Sequence, residues 1–233
     1  MKKIGLIGGT GPESTVMYYK ELNSRIDTIT NGKAMPDIVI ESVDFRKAWN
    51  LVCAGQYSAL SNYLAEKIIC LKNSGAEVIA LTSATMHVVF EQIVQKSNNQ
   101  LVSIPKTVTD KAIAMGISKV CLLGTIFTME QDYMKKDMVD AGIQVVVPTK
   151  NERNLVAKRI FEELENGIVK ESTLNEFVKI IERMRDEEGV EAVVLGCTEL
   201  PLLLNTNNCP VCCLNAAEIH ISKLIDLACV DCK

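Results

Sequence analysis

Apolar residues in this chain fall into eight short runs, separated by longer stretches in which they recur three and four positions apart. The runs are Ile4–Ile7, Asp37–Val43, Val78–Leu81, Leu101–Ile104, Val120–Leu123, Ile143–Val147, Ala192–Leu195 and Val211–Leu214. Continuous β-branched runs of this length suit strands buried on both faces of a parallel sheet. The stretches between them predict helices over Glu13–Ile29, Tyr57–Ser74, Val88–Lys96, Val108–Met115, Met129–Ala141, Glu152–Leu164, Leu174–Glu187 and Ala216–Ala228. Gly75, Gly116, Gly142 and Gly189 stand where a helix needs a left-handed closing residue. Strand and helix alternating through short turns predict a doubly wound α/β architecture.

The pattern also repeats. Ser74–Thr85 (SGAEVIALTSAT) superimposes on Glu188–Glu199 (EGVEAVVLGCTE) at a shift of 114, so that Glu77 meets Glu191 and Ser83 meets Cys197. Lys3–Gly8 (KIGLIG) matches Lys119–Gly124 (KVCLLG) at a shift of 116. A duplicated α/β unit follows, with residues 1–98 and a returning 210–233 as one domain and 99–209 as the other. Duplication can aim two like residues at one ligand from opposite sides. It is therefore expected to place Ser83 and Cys197 at equivalent strand ends, facing each other across an interdomain cleft.

Composition narrows the picture. A net charge of −4 and the lack of any Lys/Arg run argue against nucleic acid as a partner. No apolar stretch approaches the roughly 18 residues needed to span a membrane. The opening MKKIGLIGGTGPE reads as a first strand rather than an export signal. Nine cysteines, an odd number, several within apolar runs, point to a reducing cytoplasm rather than a disulfide framework. Cys209 and Cys212, then sixteen residues, then Cys229 and Cys232, carry the spacing of a four-cysteine zinc site. Against zinc, residues three apart on a strand point to opposite faces, and knuckle glycines are lacking. No metal is expected.

Ligands of parallel sheets bind beyond the carboxyl ends of the strands, where four loops fall. Gly8–Thr15 lacks the third glycine of a dinucleotide fingerprint, since Ser14 stands there, and it lacks the Gly-Lys-Ser/Thr of a nucleotide loop. It remains a small-residue loop opening a helix, able to offer N–H groups to an anion. The others are Thr82–His87, Gly124–Thr128 and Gly196–Glu199. Cys197 differs from the other thiols because it ends a strand in a Gly-x-Thr-Glu turn. Small neighbours and helix-terminal N–H groups there are expected to lower its pKa.

LTSATMH (Leu81–His87) paired with LGCTE (Leu195–Glu199), after IGLIGGTGPEST (Ile4–Thr15), resembles the aspartate/glutamate racemase family. LLGTIFTMEQDY (Leu122–Tyr133) and SVDF (Ser42–Phe45) are similar to it as well. The resemblance implies two pseudo-symmetric domains with about four strands each, a cofactor-independent reaction and a homodimer. In that family two thiols flank the substrate Cα, one removing a proton and the other returning one. The family's Cys-Asn-Thr is here Ser83-Ala84-Thr85, with His87 retained, while Cys197 maps cleanly. Thr82 is a second hydroxyl beside Ser83. By the resemblance Thr10, Thr85, Thr125 and Thr198 contact substrate carboxylates, with Arg46 a candidate for the distal one through a bidentate fork. Ala84 stands where an amide would hold substrate, and Glu199 and His87 flank the site residues. His220, inside a helix, is expected to be structural.

The expected activity is racemisation or epimerisation of aspartate or glutamate, impaired or one-sided because a hydroxyl is a much weaker acid than a thiol. Two alternatives stand beside it. One is a single-cysteine decarboxylase of the arylmalonate type or a cis-trans isomerase of a small dicarboxylate. The other is a non-catalytic amino-acid-binding relative.

Overall fold

The structure, a computed structural model, describes residues 1–230. The first part of the chain runs β1 (Ile4–Gly8), α1 (Pro12–Ile29), β2 (Ile38–Ser42), α2 (Phe45–Cys53), α3 (Tyr57–Asn73), β3 (Val78–Leu81) and α4 (Phe90–Ser97). It continues through α5 (Ile104–Ala114), β4 (Lys119–Leu123), α6 (Ile126–Glu130), α7 (Lys136–Asp140), β5 (Gln144–Val146) and α8 (Lys150–Glu162). It ends with α9 (Glu171–Glu188), β6 (Ala192–Leu195), β7 (Cys212–Asn215) and α10 (Ala216–Ala228). The strands form two parallel sheets of order β2-β1-β3 and β5-β4-β6-β7. A parallel bridge from Ala80 to Val102 gives the first sheet a vestigial fourth position beside β3. Each sheet thus has its first strand in the middle and its third strand next to its fourth, as the duplication predicts.

Matching hydrogen bonds mark the repeat. Glu77 N–H donates to the Lys3 carbonyl at 2.9 Å, and Glu191 N–H to the Lys119 carbonyl at 3.0 Å. The helices before β3 and β6 are followed by Gly75 and Gly189 at φ +85° and +71°, a conformation that a side chain strains. The central strands are fully buried, which explains their unbroken apolar runs.

Two compact units result, Met1–Ser103 with His220 onward, and Ile104–Ile219. The sequence division had given the strand beginning near 210 to the first domain. Instead β7 pairs with β6, Leu195 opposite Asn215, and belongs to the second unit. The return to the first unit comes within α10, at His220. There His220 Nε2 donates to the Val102 carbonyl (3.0 Å), which leaves Nδ1 to accept from Tyr18 Oη (2.8 Å).

Three local readings change. The Leu101–Ile104 run shrinks to the Val102 bridge because Ser103 is followed by a helix opening on Ile104-Pro105, and proline favours a first turn. The Met129–Ala141 helix splits, since Gln131 turns extended (ψ 163°). Helix α2 was not foreseen. Asp44 caps it by accepting from Lys47 N–H at 3.1 Å, and Ala48 and Val52 are buried on one face. No helix among the described residues is long and apolar enough to cross a membrane.

Candidate functional site

In the first unit, the loop after β1 and the turn after β3 are stitched together. Ser14 Oγ donates to the Thr82 carbonyl at 2.5 Å, and the Thr82 hydroxyl donates to the Ile7 carbonyl at 3.2 Å, 3.3 Å from Thr15 Oγ1. Thr82 is buried and its hydroxyl engaged, so it is poorly placed to stand in for Ser83. Ser83, Ala84 and Thr85 are half-buried. His87 is buried, stacks on Phe90 with ring centroids 5.0 Å apart, and lies with Nδ1 3.0 Å from the Ser83 carbonyl. A carbonyl only accepts, so the proton sits on Nδ1. Burial first, and then His220, lower the His87 pKa to about 3. The ring is therefore neutral at physiological pH. It fixes the turn and brings no charge to it.

Thr10 lies buried in the loop before α1, and its hydroxyl lacks a hydrogen-bond partner. Buried polar atoms are almost always paired, so such an orphan marks a place for a ligand or water. Gly9 sits at φ +81°, where a Cβ would come within 2.5 Å of the Val43 carbonyl oxygen. Only glycine lets this loop fold against the end of β2. Arg46 lies exposed on the first turn of α2, just after that strand.

The second unit carries Thr125, Cys197, Thr198 and Glu199. Gly196 N–H donates to the Leu123 carbonyl at 2.8 Å. A Cβ on Gly196 would lie 3.0 Å from both that oxygen and Thr128 Cγ2, so a side chain before Cys197 would force its neighbours to shift. Cys197 Sγ donates to Glu199 Oε2 at 2.7 Å, and Thr198 Oγ1 to Glu199 Oε1 at 2.9 Å. Both hydroxyl-bearing threonines, 125 and 198, are half-buried, as is Cys197.

The thiol pKa runs opposite to the sequence expectation. Burial, then the Glu199 charge and hydrogen bond, then Glu165, push Cys197 well above an ordinary thiol. The resting state is a neutral thiol hydrogen-bonded to Glu199. Glu165, in the short 3-10 turn Leu164–Asn166, was not foreseen, because no motif marks it. Its own carboxyl is raised by burial and by Glu199.

Of the four cysteines with zinc-like spacing, Cys232 lies outside the described residues. Among those described, no group of three or more His, Cys, Asp or Glu side chains could hold a metal. Cys229 is buried against Met1, with sulfurs 3.7 Å apart. Cys209 hydrogen-bonds Cys213, which lowers the Cys209 pKa and raises that of Cys213.

The Asp/Glu/Hydantoin racemase family model matches residues 7–224. An aspartate racemase homologue from Pyrococcus horikoshii OT3 is 38% identical, covering 98% of this chain and 99% of that one, with a TM-score of 0.88. A Yersinia pestis protein grouped with the Asp/Glu racemases is 34% identical over 98% and 99% of the two chains, with a TM-score of 0.92. An aspartate racemase from Picrophilus torridus shares the fold at 22% identity, over 97% and 94%, with a TM-score of 0.72.

Proposed function

Because the chain belongs to the Asp/Glu/hydantoin racemase family, we propose that it inverts the Cα of aspartate or glutamate without a cofactor, using Cys197 as the acid/base on one face. The observation that carries this reading is the Cys197–Glu199 hydrogen bond at the carboxyl end of β6. Glu199 takes the thiol proton as the thiolate removes Cα–H, and the substrate carboxylate spreads the resulting charge as an enediolate. Cys197, protonated again, can return a proton to the same face. In the family resemblance a second thiol serves the opposite face, and the residue at its sequence position here is Ser83. Its hydroxyl can give a proton, directly or through a water, but removes one reluctantly, since Thr85 stands at the position equivalent to Glu199. The enantiomer presenting Cα–H to Cys197 therefore exchanges that proton faster than it inverts.

Thr10, Thr85, Thr125 and Thr198 would hold the substrate carboxylates, with Arg46 on the distal one. Ala84 leaves a less polar wall, and neutral His87 holds the Ser83 turn. The orphaned Thr10 hydroxyl supports this assignment. The eight described cysteines are free, which fits a reducing cytoplasm. The homodimer implied by the family can be checked by light scattering.

Incubation with L- and D-aspartate and glutamate in deuterated water, following Cα deuteration by NMR and optical rotation separately, tests the reading. Exchange outpacing inversion for one enantiomer is expected. Absence of exchange with all four amino acids would overturn it and direct the search to decarboxylation or cis-trans isomerisation of small dicarboxylates.

A further inference from the structure

Between β4 and α7 three hydroxyls stand in a row. Tyr133 Oη is 2.9 Å from Thr128 Oγ1, which is 3.1 Å from Thr125 Oγ1. Thr128 is buried, at 1% exposure, whereas Thr125 and Tyr133 are half-buried. Thr125 Oγ1 also accepts the Thr128 N–H at 3.2 Å. The Thr128 hydroxyl has one proton, so it donates to one neighbour and accepts from the other. A phenol, with a pKa near 10, is a much stronger donor than an aliphatic hydroxyl. The row is therefore polarised from Tyr133 through Thr128 to Thr125.

We infer that Tyr133 and Thr128 are positioning residues that turn the Thr125 hydroxyl outward as a committed donor to a substrate carboxylate. With its lone pairs occupied by the Thr128 hydroxyl and N–H, Thr125 has its own proton left to give. The inference rests on the amino-acid reading above and adds the origin of carboxylate recognition in the second unit. It also explains why the predicted Met129–Ala141 helix breaks. The extended Gln131 carries the chain out of α6, and Tyr133 then reaches back to Thr128.

A purely structural reading of Thr128 makes a contrasting prediction. Its Cγ2 methyl is wedged beside Gly124 and Gly196, where added Cβ atoms would lie 2.8 and 3.0 Å from it. Thr128→Val keeps the methyl and removes the hydroxyl, whereas Thr128→Ser keeps the hydroxyl and removes the methyl. The relay predicts that Thr128→Val and Tyr133→Phe each raise the aspartate Kd and KM about tenfold, the scale of one hydrogen bond to a charged group. Thr128→Ser should stay within about twofold of wild type by the same scale. The kcat for Cα–H exchange should change little in all three variants.

Kd is measured by calorimetry and exchange by NMR, with folding checked by circular dichroism. A Thr128→Ser variant weaker than Thr128→Val, or a Tyr133→Phe variant with unchanged Kd, would overturn the relay. A wild type that binds aspartate without exchanging its Cα–H would sink the racemase reading and leave the relay to be judged on Kd. A wild type that binds neither aspartate nor glutamate would sink both.

Discussion

The turns after β3 and β6 occupy equivalent places in their sheets and carry opposite chemistry. After β6, Cys197 donates to a carboxylate two residues away, and burial together with that charge holds its proton on. After β3, the residue equivalent to Cys197 is Ser83. Its backbone carbonyl accepts a hydrogen bond from His87, a ring kept neutral by burial. In the reaction proposed above, one turn moves a proton. The other is arranged to hold its own shape. A duplication supplies two equivalent positions, and under that proposal the side chains decide which of them does acid–base work.

The sharpest way to break the comparison is Cys197→Ala. Loss of Cα–H exchange by about a thousandfold is expected, from the usual contribution of a general acid–base group. The fold should be intact by circular dichroism, because the residue is half-buried at a strand end. Exchange near the wild-type rate in Cys197→Ser would show that the thiol is not the acid/base.

Next in size is Glu199→Gln, with an expected loss of about a hundredfold at neutral pH. The carboxylate raises the thiol pKa, so removing its charge lowers that pKa. The rising limb of the pH–rate profile should then move to lower pH even as the maximum falls. A limb that stays in place would mean that Glu199 is not coupled to the reacting thiol.

Ser83→Cys makes the two turns alike. Net inversion should rise about tenfold or more relative to exchange, since a thiol pKa lies much nearer working pH. Ala84→Asn beside it should add substrate hold. If the double variant inverts no acidic amino acid, the two turns do not serve one reaction.

The smallest effects concern stability and fall on the first unit, which holds both histidines of the chain. Burial lowers His220 to about 4 and His87 to about 3. The unfolded chain takes up protons near pH 6.5 that the folded one refuses. Stability should therefore be full above pH 6.5 and fall as pH drops toward 4, by up to about 1.4 kcal/mol per pH unit for each histidine. Denaturant midpoints measured across that window check this, and a flat profile would contradict it. Tyr18→Phe removes the donor to His220 Nδ1 and should cost about 1 kcal/mol at neutral pH.

The strands, most helices and the repeat were legible because fully buried strands need unbroken apolar runs, and helix closures need glycine. Ile4–Gly8, Val78–Leu81 and Ala192–Leu195 show this directly. Local chemistry also placed Ser83 and Cys197 at the ends of β3 and β6. What sequence could not carry is whatever depends on distant partners. The allegiance of β7 depended on its pairing with β6, and the return to the first unit depended on His220 meeting Tyr18 and Val102. The upward shift of Cys197 came from its own burial and from Glu199 and Glu165, against the expectation from backbone N–H groups. Periodicity records which face of an element is buried. Only the tertiary structure decides which charge a buried group meets, and electrostatic energies at close range turn on that placement.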